Sequence, residues 1–76
     1  MLNQFNLIGK IKSSYNAFIS IEVDNDTSLE VFLPLSISKE VNLQHGSFVA
    51  VKGHIEREKD GLGLIHLVAE KVFIIE

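Results

Sequence analysis

Apolar side chains fall at every second position through five short stretches of this 76-residue chain, and that alternation is the signature of half-buried strands. Valine and isoleucine together number sixteen against three alanines, a bias that favours pleated sheet over helix. The first strand is expected over Asn3–Lys12, with Phe5, Leu7 and Ile11 on one face and Asn6, Lys10 and Lys12 on the other. Ser13–Asn16 reads as a tight connection. The second strand, Ala17–Val23, turns Ile19, Ile21 and Val23 inward and Phe18, Ser20 and Glu22 outward. After the polar turn Asp24–Thr27, the third strand, Ser28–Leu33, points Leu29, Val31 and Leu33 inward and Glu30 and Phe32 outward, and Pro34 stops it.

The alternation lapses between Leu35 and Gly46. A short helix fits there, capped by Ser36 or Ser38, with Ile37 and Val41 on one face and Gly46 just past its end. The fourth strand, Ser47–Arg57, buries Val49, Val51 and Ile55, and Glu58–Gly61 reads as a hairpin turn. The closing stretch, Leu62–Ile75, is long enough to cross a barrel and bend near Ala69–Lys71. Glycines inside the first and fourth strands, Gly9 and Gly53, suit the sharp bends of a small barrel. Five strands with one short helix between the third and fourth give an all-β, five-stranded Greek-key barrel of the OB-fold type, a single domain over residues 1–76.

So short a chain buries only about 60% of its unfolded surface, and the absence of cysteine leaves self-association or a partner to supplement the core. Cysteine's absence also excludes disulfides, thiolate metal sites and thiol nucleophiles. Apolar runs are too short for a membrane span, and no signal peptide precedes the first patterned segment, so a folded cytoplasmic protein is expected. The net charge of −3 requires any phosphate-binding residues to gather on one face of an acidic protein.

Four segments, in order, resemble bacterial single-stranded DNA-binding proteins. Asn3-Gln-Phe-Asn-Leu-Ile-Gly-Lys-Ile11 is similar to their opening strand, N-x-V-x-L-I/V-G-R/K-I/L. Ala17–Val23 resembles A-x-F-x-L-x-V, Gly46–Ile55 resembles G-S-x-V-x-V/I-x-G-x-I/L, and Ile65–Ile74 resembles the closing stretch. The resemblance implies an OB-fold that tracks single-stranded DNA in replication, recombination or repair. It further implies assembly into homodimers or homotetramers through the first and last strands. Primosomal replication-restart proteins share that structural family, and Gly61–Ile75 resembles their last strand as well. The chain departs from the family in having no tryptophan, a short loop between the last two strands, and no acidic tail after the last strand.

Single strands are held by aromatic rings under the bases and cations along the phosphates. Phe18 and Phe32 are the sharpest ring candidates, because each lies outward on a strand whose inward positions are already aliphatic. Tyr15 is expected to assist from the loop between the first two strands, while Lys10, Lys12, Lys52, Arg57 and Lys59 are the candidates for phosphate. Glu22 and Glu30 share the outward faces of Phe18 and Phe32 and weaken that reading. The alternatives are a primosomal replication-restart accessory or an RNA binder on the same surface, and a protein-interaction module that binds no nucleic acid. Phe48 suits a subunit contact, whereas Phe5 and Phe73 suit the core. Aliphatics on both faces of the last strand, with Ile8 on the first, point to a neighbouring subunit.

Signals for chemistry are poor. His45, His54 and His66 lack metal-ligand spacing, although His54 and His66 could meet across the last two strands. Asp24-Asn-Asp26 begins like a calcium loop but lacks its glycine and later glutamate. Gly61-Leu-Gly63 has no helix behind it to cradle a phosphate. No nucleophile–base pair can be named, so no catalytic activity, metal or cofactor is expected.

Overall fold

Ile19, Ile21, Val31, Val49 and Val51 are each no more than 3% exposed, and they come from three different strands. With only a four-residue helix among the described elements to cover a sheet, such positions are buried by the sheet curling onto itself. The computed structural model describes residues 3–15, 17–39, 43–57 and 65–75. Its elements are β1 (Gln4–Tyr15), β2 (Phe18–Asp24), β3 (Thr27–Phe32), α1 (Leu35–Ser38), β4 (Phe48–Arg57) and β5 (Ile65–Ile74). They form a closed barrel in the order β1-β2-β3-β5-β4, with β1 meeting β4 to complete it. All pairs are antiparallel except β3–β5, which is parallel and joined only at Val31–Leu67 and Phe32–Val68. This is the expected all-β OB architecture with one short helix between the third and fourth strands.

Ile11, Ile19, Ile21, Val31, Leu33, Val49, Val51 and Ala69 form the interior cluster, with Phe5, Leu7, Val23, Ile37, Leu43, Leu67 and Val72 against it. Two glycines let strands approach more closely than a side chain permits. A Cβ on Gly53 would collide with the Val68 carbonyl oxygen and come within 2.8 Å of Phe5 Cε2; one on Gly9 would collide with the Glu22 carbonyl oxygen. The expected bend in the last strand is a bulge. Lys52 pairs with Lys71 but Gly53 pairs with Ala69, so Glu70 is the extra residue.

Several expectations are corrected. Strand β1 runs on to Tyr15, beyond the expected end at Lys12, because a register shift between Ile11 and Ser13 keeps it paired with β2. Tyr15 is therefore a strand residue opposite Phe18, and not part of a loop. Helix α1 is a single turn with Pro34 at its cap position and no side-chain cap; Ser36 and Ser38 lie within it. Gly46 (φ 89°) sits well beyond that helix, in the turn before β4, where its N–H donates to the Ile11 carbonyl at 2.8 Å. Phe73 is 58% exposed on the outside of the barrel, not in the core, because the Glu70 bulge resets the alternation of β5. Ile55 is only half-buried. Asn16, Val41, Leu62, Leu64 and the Glu58–Gly61 hairpin, with Lys59 in it, lie outside the described residues.

Candidate nucleic-acid interface

One row of ladder partners runs around the outside of the barrel: Tyr15, Phe18, Phe32, Val68 and His54, from β1, β2, β3, β5 and β4. The row follows from strand parity. Ile19 and Ile21 point into the core, so Phe18 between them and the turn must point out, and its partner Phe32 does the same beside buried Val31. Both rings are half-buried, and they meet edge to face with centroids 5.5 Å apart and planes at 64°. His66 leans on Phe18 at 6.5 Å, its ring tilted by 48°.

Phe18, Phe32, His66, Val68 and Glu56 line an open depression of about 220 Å³. Val68 is 8% exposed yet stands apart from the interior cluster, since it forms the apolar floor of this outer depression. The arrangement offers flat apolar faces, a polar ring and one carboxylate to a planar ligand. The sequence pointed to both phenylalanines but not to His66, Val68 or Glu56. Their placement depends on the β4–β5 register, in which Glu56 opposes His66 and Val68 opposes His54. The two histidines are therefore not direct partners across these strands.

His54 is instead held between two carboxylates. Its Nε2 donates to Glu56 Oε2 at 2.8 Å and its Nδ1 to Glu70 Oε2 at 2.5 Å. Ionised carboxylates only accept, so both bonds require the doubly protonated ring. Donating hydrogen bonds to Glu56 and then to Glu70 favours the charged ring and raises the His54 pKa above its ordinary 6.5.

The expected cations divide. Arg57 closes β4 opposite Ile65, one position from Glu56 and His66. Lys12 falls at the β1 register shift, with no direct partner on β2. Lys10 and Lys52 also point outward, on other rows of the β1–β4 ladder. There Lys10 opposes Phe48, with its Nζ 5.7 Å from the ring centroid, and Lys52 lies between Asn6 and Lys71. Lys10 also opposes Glu22 on β2. Between those rows Ile8, Ala50 and Phe73 are direct neighbours, and Ile8 and Phe73 are 65% and 58% exposed. The structure thus joins Tyr15, Phe18 and Phe32 and separates them from Lys10 and Lys52.

Among the described residues no group of three histidine or acidic side chains could hold a metal ion, and no helix is long and apolar enough to cross a membrane. No family model matches the sequence, and no curated protein matches it. Among solved structures, the fold is similar to the dimeric N-terminal domain of PriB protein from Thermoanaerobacter tencongensis, at a TM-score of 0.76 and 17% identity, covering 97% of each chain. It is also similar to a chain of the Stn1-Ten1 complex of S. pombe, at a TM-score of 0.67 and 20% identity, covering 97% of this chain and 59% of that one. At these identities the likeness establishes a shared OB fold.

Proposed function

We propose that this protein is a single OB domain that binds single-stranded DNA in the cytoplasm, in replication, recombination or repair, with base stacking as the dominant interaction and without strong sequence preference. The observation that carries the reading is the Phe18–Phe32 pair, displayed on the outside of a barrel whose interior is already filled by aliphatic side chains. The open side of such a half-buried pair accepts bases of any identity, and each stacked base contributes about 1–3 kcal/mol. Tyr15 extends the platform in the same row. Arg57 and Lys12 supply phosphate contacts beside it, Lys10 and Lys52 take the strand where it passes around the barrel, and Lys59 remains a candidate from the sequence alone. A replication-restart accessory or an RNA-binding protein would use the same surface.

The protein acts as a homodimer or homotetramer. The exposed row Ile8–Ala50–Phe73, with Phe48 beside it, is the apolar surface that supports this reading. A second reading, a protein-interaction module, is favoured by the acids around the rings: Glu30 opposes Ser20 next to Phe18, and Glu56 lines the depression.

Fluorescence anisotropy of a labelled oligonucleotide across a salt series separates these readings. Binding that weakens with a log–log salt slope near −2, for about three phosphates at roughly 0.7 each, supports the nucleic-acid reading. Loss of that binding in Phe18→Ala plus Phe32→Ala, with folding retained, assigns it to the rings. Absence of binding at low salt favours the protein-interaction module. RNA of equal length tests the choice of nucleic acid.

A further inference from the structure

The acidic residue in the aromatic depression is a liability for a surface that only attracts phosphate, but it is an asset for one that reads a base edge. We infer that Glu56 selects an unpaired base carrying an exocyclic amino group, cytosine above thymine, at the Phe18–Phe32 platform. The inference rests on the nucleic-acid reading above and deepens it from stacking alone to a preference at one base position.

Three observations support the assignment. Glu56 lines the same depression as Phe18, Phe32, His66 and Val68, so a base resting on the rings has its edge within reach of that carboxylate. The depression, about 220 Å³ and open to solvent, has room for a single planar ring system. The carboxylate is also braced: His54 Nε2 donates to its Oε2 at 2.8 Å, and Glu70 fixes the other side of that imidazole at 2.5 Å. One bond does not exhaust a carboxylate, which offers about four acceptor sites. A braced acceptor matches the amino donor of cytosine N4 and opposes the carbonyl acceptor that thymine presents at the same place. His54 is a positioning residue here, since it acts on the base only through Glu56.

Oligo-dC and oligo-dT test this well, because the two pyrimidines share ring size and phosphate charge. With oligonucleotides of about 12 nucleotides, inside the roughly 4–16 that an OB domain spans, oligo-dC is expected to bind about five- to tenfold more tightly than oligo-dT. Glu56→Gln keeps the side chain's size but adds an amide donor that thymine can use. It is expected to bring the ratio close to one, mainly by strengthening oligo-dT binding. Equal affinities in the unsubstituted protein would overturn the inference without touching the stacking reading. So would a Glu56→Gln variant that gains equally for both strands, since that result assigns Glu56 a purely repulsive role. Absence of binding to either strand would overturn both readings together.

Discussion

Phe18 stands directly opposite Phe32 in the β2–β3 ladder, and the two rings meet edge to face on the outside of the barrel, 5.5 Å between centroids. Such pairs stabilise by about 0.5–1.5 kcal/mol beyond their buried area. Removing both rings forfeits that term and the apolar area the half-buried rings cover, so the unfolding midpoint is expected to fall while the interior cluster keeps the barrel folded. Circular dichroism melts of Phe18→Ala plus Phe32→Ala check this. Complete unfolding would mean that the pair is a structural element first.

Tyr15 is the only tyrosine and the chain has no tryptophan, so intrinsic fluorescence reports on one position. That side chain is 77% exposed and pairs with Phe18. Adding oligonucleotide is expected to quench the Tyr15 emission, and Phe18→Ala plus Phe32→Ala is expected to abolish the quenching. Unchanged emission at saturating oligonucleotide would remove Tyr15 from the interface.

The His54 clamp gives stability a pH dependence of defined sign. Its pKa is raised in the folded state, so the stabilisation is fully present below 6.5 and is lost as pH rises through the folded value. Loss of the proton leaves one ring nitrogen as a lone pair against Glu56 or Glu70, while Gln4 on β1 and Val68 on β5, its other ladder partners, carry no charge. Denaturant melts are expected to show wild type losing stability relative to His54→Gln as pH rises past that window. A difference that stays flat between acidic and alkaline pH would contradict the clamp.

Much of the barrel was legible in the sequence, and the reason is period-two patterning. Ile19, Ile21, Val31, Val49 and Val51 recur at every second position of their strands, and each lies in the interior as that alternation requires. Phe18 and Phe32 follow from the same parity. What the pattern does not carry is register. The shift between Ile11 and Ser13 prolongs β1 and turns Tyr15 from a loop residue into a ladder partner of Phe18. The Glu70 bulge reverses the parity of β5, which leaves Phe73 outside although Leu67 and Ala69 face the interior. Bulges depend on how two distant segments meet, so no local spacing announces them.

Gly53 is expected to be intolerant of alanine. Its Cβ would meet the Val68 backbone carbonyl, which cannot swing aside, as well as Phe5. Overpacking of this kind costs about 1–3 kcal/mol or more. For a domain this small each kcal/mol lowers the midpoint by roughly 4–8 °C. A thermal melt of Gly53→Ala checks it; an unchanged midpoint would mean that β4 and β5 part there without cost.

Ile21 is fully buried at the centre of the interior cluster, so Ile21→Ala is expected to cost about 2–5 kcal/mol and Ile21→Val about 0.5–1.5. At roughly 0.05–0.15 kcal/mol per residue, the alanine variant stands to lose a large part of the total stability, whereas the valine variant remains folded. Urea melts of both variants measure the difference, and equal losses would contradict the packing described.

The most direct measurement of the proposed interface is an NMR titration of the labelled protein with single-stranded DNA, read at the aromatic resonances. The Phe18 and Phe32 rings are expected to shift progressively upfield under stacked bases, with Tyr15 and His66 following, while the Ile21 and Val49 methyls stay in place. Shifts confined to Phe48, Phe73 and Ile8, or no shifts at saturating DNA, would contradict the assignment of the bases to the Phe18–Phe32 face.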